Sequence, residues 1–366
     1  MVDISVKIGS VGLKNPIMPA SGCFSIDVAR IVDVNRLGAL VAKTVSREYL
    51  IGNPPPRVAE LECGMINSIG LPTKGSEYFL NTQVPDYARF TPPLVASITA
   101  VTEDDFEAMT REVAAHPDVD VIEVNISCPT RNPNGGNFAL HEDHTYNVTK
   151  RIRSATKKPV WVKLSPNAGD VVSIALAAET AGADALVVSN TILGLKINID
   201  TFRPAIGNKF GGISGPGVKP IIVRMVHQVS QRVKIPVIGC GGIVKVEDVV
   251  EYMLAGASAV MIGYLIFRFT KNRTPLYIAT LPLLFFGTMG LFIFPWGGFS
   301  NIAQLSHVLM TLAVIWTTFD AIRNREYKPL AIGLLVGLLL FAPLISFQQF
   351  YARIHADDLH RILQIK

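Results

Sequence analysis

Cys128, Ser127 and Asn125 stand in the segment EVNISCPTRNPNGG, residues 123–136, where an apolar run gives way to a loop. A loop thiol is reachable, the first condition for a proton acceptor; the second is a push toward thiolate. The competing reading is a small buried hydrophobe, the commonest fate of a free cysteine. Lys43 and Lys163 each close an otherwise apolar run, and a lysine so placed either meets an anion or extends its ammonium to solvent. Two of them at one rim favour an anionic ligand. Asn67, in GMINSIGLPTKG, and Asn190, in SNT, offer the donors and acceptors that hold a cyclic amide, or else serve as turn residues. The glycines of GCGGI, residues 239–243, lie between an apolar run and a helical pattern from Lys245. Backbone amides there can approach a phosphate, although a tight turn needs glycine too. Cys23, Cys63 and Cys240 have no CxxC or Cys/His spacing, so reduced structural thiols are expected, with neither metal ligation nor a disulfide framework.

These residues need a scaffold, and the first 263 positions supply a repeating one. Eight short apolar runs, at 16–20, 39–43, 93–98, 120–126, 159–164, 184–189, 235–239 and 258–262, read as parallel strands covered on both faces. Helical patterns at 103–116, 142–156, 170–181, 217–233 and 245–255 fill most of the gaps. The expectation is an α/β fold of the (β/α)8 or TIM-barrel type, with a doubly wound open sheet as the alternative. What favours the barrel is that polar and glycine residues end strand after strand: Ser21-Gly22, Lys43, Ser97, Asn125, Lys163, Asn190-Thr191, Gly241-Gly242 and Gly263. A barrel assembles its active site at that rim, often with a phosphate site after the last two strands.

Beyond Gly263 the physics changes. Of 34 Lys and Arg and 29 Asp and Glu, nine and four fall from Tyr264 onward, so the first 263 residues balance at 25 each and the tail carries the whole +5. Residues 274–319 hold no Asp, Glu, Lys or Arg, and Pro295-Trp296-Gly297-Gly298 divides them into two stretches; a third runs over 329–352. An all-α transmembrane segment of about three helices, near 275–296, 302–319 and 329–351, is expected after the barrel. Basic residues before the first span and between the second and third put the barrel in the cytoplasm. Positive charge flanking apolar spans marks a membrane, so nucleic acid is excluded as a partner.

Over residues 1–263 the motifs KNPIMPASGCF, GNPPPRVAE, GMINSIGLP, NISCP, VKLSPN, GGISGPGVKP, IPVIGCGGI and AGASAVMIG occur in the order seen in class 1 dihydroorotate dehydrogenases. The chain resembles that family, and GNPPPRVAE and the NGG after the cysteine resemble the 1B subclass that works with an electron-transfer subunit. The resemblance implies FMN across the barrel mouth, its phosphate on Gly215, Gly241, Gly242 and the turn of Gly263 and Tyr264. Ser21, Lys43, Thr44, Ser97, Asn125, Lys163 and Ser189 would surround the rest of the cofactor. Lys43, Asn67, Ser68, Ile69, Gly70, Leu71, Asn125, Asn190 and Thr191 match the pyrimidine-binding positions, and Cys128 the catalytic base. The implied reaction is oxidation of (S)-dihydroorotate to orotate in pyrimidine biosynthesis: the base takes the C5 proton while hydride leaves C6 for the flavin.

The resemblance also implies a partner subunit carrying FAD and an iron-sulfur cluster, in a homodimer or heterotetramer, because this chain shows neither an NAD fingerprint nor cluster ligands. Fumarate and quinone remain alternative acceptors. Ser97, Thr130 and Tyr264 depart from the asparagine, asparagine and threonine of the family pattern, and the membrane tail replaces its last barrel helix. Two other readings compete: a dihydropyrimidine dehydrogenase-like flavoenzyme, and an inactive barrel fused to a membrane interaction module.

Overall fold

The computed structural model describes residues 3–30, 32–128 and 137–263. Its frame is a barrel of eight strands: β1 (Ile17–Pro19), β2 (Leu40–Val41), β3 (Leu94–Ile98), β4 (Val121–Asn125), β5 (Val160–Lys163), β6 (Ala185–Val188), β7 (Val237–Cys240) and β8 (Ala259–Ile262). Every ladder between neighbours is parallel, and β8 returns to β1 through Val260 opposite Ile17 and Ile262 opposite Pro19. Between β1 and β2 the Gly38 N–H donates to the Ile17 carbonyl at 2.7 Å across the seam. A Cβ on Gly38 would lie 2.1 Å from the Asn15 carbonyl oxygen, so only glycine permits this approach.

Alternation along each strand sorts its side chains to two sides. Ile122, Val124, Val160, Val162, Leu186 and Val188 face outward into the larger core. Helices α1 (Glu103–Ala114), α2 (Glu142–Ala155), α3 (Val171–Thr180), α4 (Lys219–Ser230) and α5 (Val246–Leu254) contribute to that core. Phe106, Met109 and Val113 recur on one face of α1, and burying each contributes roughly 1.5–3 kcal/mol. Its start is set by Thr102, whose hydroxyl accepts the Asp105 N–H, with Glu103, Asp104 and Asp105 in the first turn.

Val121, Trp161, Val187, Ile238 and Met261 point the other way, into the barrel. Ile8 and Leu13 belong to this inner cluster; they come from an N-terminal hairpin, Val6–Ile8 with Val11–Leu13. Gly9 at its tip approaches Asp184, just ahead of β6, which places the hairpin at the N-terminal rim. The interior is therefore apolar and plugged at one end. Toward the other it becomes polar, through Ser97, Glu123, Asn125 and Lys163.

Each strand lies within two residues of its expected bounds, and the five helices sit inside theirs. A second, antiparallel sheet, which no pattern in the sequence marks, joins Ile192–Leu195, Phe210–Ser214, Gly64–Asn67 and Val58–Leu61. It is built from the excursions after β2 and β6. Among the described residues no helix is long and apolar enough to cross a membrane. The spans expected at 275–296, 302–319 and 329–351 lie outside the described residues, as do Thr130 and Tyr264.

Candidate functional site

The C-terminal rim gathers side chains from the ends of four strands into one hydrogen-bonded string. Asn190 Nδ2, after β6, donates to Asn125 Oδ1 at 3.1 Å and to Ser127 Oγ at 3.0 Å. Asn125 Nδ2, at the end of β4, donates to Thr44 Oγ1 at 3.2 Å, two residues beyond Lys43's predecessor Ala42 on the β2 side. Thr44 meets Ser97 Oγ of β3 at 2.8 Å, and Ser97 donates to Glu123 Oε1 at 2.6 Å. Asn125, Thr44, Ser97, Ser127 and Glu123 are all buried. Cys128, half-buried, follows this cluster directly, so the candidate base adjoins the candidate amide contacts. Residues 129–136 beyond it lie outside the described residues.

Two lysines flank the string in different settings. Lys163, at the end of β5, is buried and its ammonium reaches Ser21 Oγ at 3.3 Å. Burial alone would lower its pKa, but the acidic groups around it, Cys240 first and then Glu123, Cys23 and Cys128, outweigh burial and raise it. Burial holds the Cys240 thiol above its usual range. Lys43 is exposed along its stem, while its ammonium turns back to the Pro72 carbonyl at 2.8 Å. Desolvation of that end, then the Arg57 guanidinium, hold it below the ordinary lysine range.

Through Pro72, Lys43 is tied to the segment that carries Asn67, Ser68, Ile69, Gly70 and Leu71. Asn67 ends a strand of the second sheet and donates to the Gly212 carbonyl at 3.2 Å. The Ser68 hydroxyl accepts from Asn53 and Asn208. Gly70 and Leu71 take positive φ, 77° and 50°. The Ser189 hydroxyl is likewise engaged locally, with the Asn190 carbonyl at 3.0 Å, and the Thr191 carbonyl accepts from Asn167.

Gly215, Gly241 and Gly242 come together after β7. Gly242 has φ +67, and a Cβ there would stand 2.8 Å from the Gly215 carbonyl oxygen and from Lys219 Cβ. Among the described residues neither the Gly241 nor the Gly242 N–H has an acceptor, and Gly263 ends the neighbouring β8. Free amides in a side-chain-free turn are what a phosphate monoester requires. With a buried lysine and an amide-lined mouth beside it, the residues fit FMN. Gly242→Ala should raise the dissociation constant for FMN at least roughly tenfold, since strain of about 1–2 kcal/mol adds to a clash inside the cradle. Fluorescence titration of the flavin-free protein measures it.

Three supporting residues carried no role in the sequence analysis. Tyr252 donates to the Gly241 carbonyl at 2.6 Å, and its ring occupies the space a Cβ on Gly239 would need. Asp248 accepts from the Val244 and Lys245 N–H groups and from Lys219 Nζ at 2.8 Å, bracing the turn. Glu123 was visible as the one charge inside an apolar strand, a signal that it faces a polar interior.

Comparison with known proteins agrees with this geometry. A family model described as dihydroorotate dehydrogenase matches residues 3–272. The catalytic subunit of dihydroorotate dehydrogenase B (NAD(+)) from Listeria welshimeri is 45% identical over 287 residues, covering 76% of this chain and 92% of that protein. The same subunit from Bacillus cereus strain B4264 is 43% identical over 262 residues, covering 71% and 85%. The solved structure of DHODH in complex with ferulenol from Eimeria tenella superposes with a TM-score of 0.59 at 20% identity, over 76% of this chain and 85% of that one, a likeness of fold. The chain belongs to the dihydroorotate dehydrogenase family.

Proposed function

We propose that the chain oxidises (S)-dihydroorotate to orotate on FMN, with Cys128 as the base. The observation that carries this is that Cys128 directly follows Ser127, which is hydrogen-bonded to both Asn125 and Asn190, at the rim that also bears Lys43, Lys163 and the glycine cradle. Bound FMN would supply the hydride acceptor. The chain's part is orientation and proton removal. Gly215, Gly241, Gly242 and the Gly263–Tyr264 turn hold the phosphate; Ser21, Thr44, Ser97, Asn125, Lys163 and Ser189 support the ring system. Lys43 takes the substrate carboxylate, and Asn67 to Leu71, Asn125, Asn190 and Thr191 fix the pyrimidine. Cys128 then removes the C5 proton. The test is anaerobic mixing of purified protein with dihydroorotate: bleaching of the flavin band and release of orotate support the reading, and an unreduced flavin overturns it.

Lys43 gives this assignment a pH signature. Its folded pKa lies below that of free lysine, so the ammonium loses its charge at a lower pH than usual. An anion binds the charged form. Orotate affinity should therefore be constant at neutral pH and fall up to tenfold per pH unit as pH rises through that lowered pKa. Lys43→Ala should bind orotate more weakly with no such decline. Titrations of the flavin absorbance across the alkaline range measure both.

The relatives named above are catalytic subunits, and we infer that this chain hands its electrons to a partner carrying FAD and an iron-sulfur cluster, which reduces NAD(+). Turnover with NAD(+) only when such a subunit is added supports this; equal turnover with fumarate or a soluble quinone alone would refute it. Residues 264–366 are read as a separate membrane anchor with the barrel on its cytoplasmic side, supported by their uncharged stretches and flanking basic residues. Fractionation should find the full chain in the membrane pellet, resistant to salt and released by detergent. Recovery in the soluble fraction would remove the anchor.

A further inference from the structure

Glu123 is fully buried inside the barrel, one alternation below Asn125 on β4, and its Oε2 has no hydrogen-bond partner among the described residues. Sequence motifs and the site assignment give it no task. Its other oxygen, however, sits at the end of the string that leads to the candidate pyrimidine site. A carboxylate has no hydrogen to give, so Ser97 must spend its only hydroxyl hydrogen on Glu123 Oε1, at 2.6 Å. Ser97 can then only accept from Thr44, at 2.8 Å. Thr44, having donated, accepts from Asn125 Nδ2 at 3.2 Å, which turns Asn125 Oδ1 toward Asn190 Nδ2 and Ser127. One acceptor at the bottom sets the direction of every bond above it.

We propose that Glu123 is a positioning residue whose carboxylate, acting through Ser97 and Thr44, fixes which way the Asn125 amide faces and so sets affinity for the pyrimidine. This rests on the assignment of Asn125 to the substrate. A pyrimidine ring bearing both N–H and C=O groups distinguishes the two faces of an amide, and an asparagine free to flip spends part of its time presenting the wrong one. Lys163 lies in the same polar layer, near enough for Glu123 to raise its pKa. Ser97, where the family pattern has asparagine, is what makes the string a chain of hydroxyls here.

The relay differs from a through-space or packing role in how two substitutions combine. Glu123→Gln can donate as well as accept, so it removes the enforced direction; Ser97→Ala cuts the string and keeps the carboxylate. Orotate dissociation constants are measured by flavin absorbance on the FMN-loaded proteins, with FMN content recorded for each. Each single variant should weaken orotate roughly tenfold, and the double variant should be no weaker than either single one, because both interrupt the same relay. Multiplication of the two effects to roughly a hundredfold, or an unchanged constant in Glu123→Gln, overturns the proposal. Should Glu123→Gln not fold with flavin, Ser97→Ala alone decides: tenfold weaker orotate with FMN retained supports the relay, and unchanged affinity overturns it. A wild-type flavin band indifferent to orotate would instead overturn the site assignment beneath the proposal.

Discussion

Cys128→Ala retains its FMN and loses about 10² to 10⁴ of its rate of flavin reduction by dihydroorotate, the span typical of removing a general base. The two properties separate because different parts of the rim carry them. The glycine turn braced by Asp248 and Tyr252, and Lys163 on β5, would hold the cofactor without help from the loop after β4. Cys128 follows Ser127 of the amide cluster that Asn125 and Asn190 complete, where a pyrimidine would sit. Stopped-flow mixing under anaerobic conditions reads the reduction step directly, and the ratio of flavin to protein absorbance reads occupancy. Serine at this position should keep a small residual rate that grows with pH, because a hydroxyl is a far weaker acid than a thiol. Reduction by the alanine variant at the wild-type rate would remove Cys128 from the mechanism.

The barrel was legible because each of its strands is buried on both faces and reads as an unbroken apolar run. VASI in β3 and ALVV in β6 are examples. The second sheet was not, since its members are four or five residues long and as poor in side chains as FGGIS, which periodicity cannot distinguish from a loop. Asn67 read equally as an amide contact to a cyclic ligand or as a turn residue, and in the structure it ends a strand of that sheet. Asn125 and Lys163 do end β4 and β5, since alternation and strand length fix where a strand-terminal side chain emerges. What a sequence does not carry is the direction of a hydroxyl. Ser97, Ser68 and Ser189 could each have pointed at a ligand, yet one donates to Glu123, one accepts from Asn53 and Asn208, and one donates to a neighbouring carbonyl. For Ser97 and Ser68 those choices depend on partners 15 to 140 residues away.

Lys163→Ala should lose FMN and also destabilise the flavin-free protein, by on the order of 10 °C in melting temperature. The ammonium is buried at the end of β5 and is, with Glu123, one of two opposed charges in the barrel interior. Truncating one of them leaves the other without compensation, which costs about 3–5 kcal/mol. For a unit of this size each kcal/mol moves the midpoint by about 2–4 °C. The pH dependence follows from the direction of the shift. Because the folded-state pKa of Lys163 lies above that of free lysine, its contribution is fully present below the free value and is lost only as pH rises through the folded one. The wild type should therefore show no loss from this group at neutral pH, and the difference in melting temperature between wild type and Lys163→Ala should persist until strongly alkaline pH. Adding Glu123→Gln to Lys163→Ala removes the stranded carboxylate, so the double variant should recover several degrees without recovering FMN. Calorimetry on the flavin-free proteins separates the two effects: a double variant that melts no higher than Lys163→Ala would mean that packing around the lysine stem, and not an uncompensated charge, sets the loss.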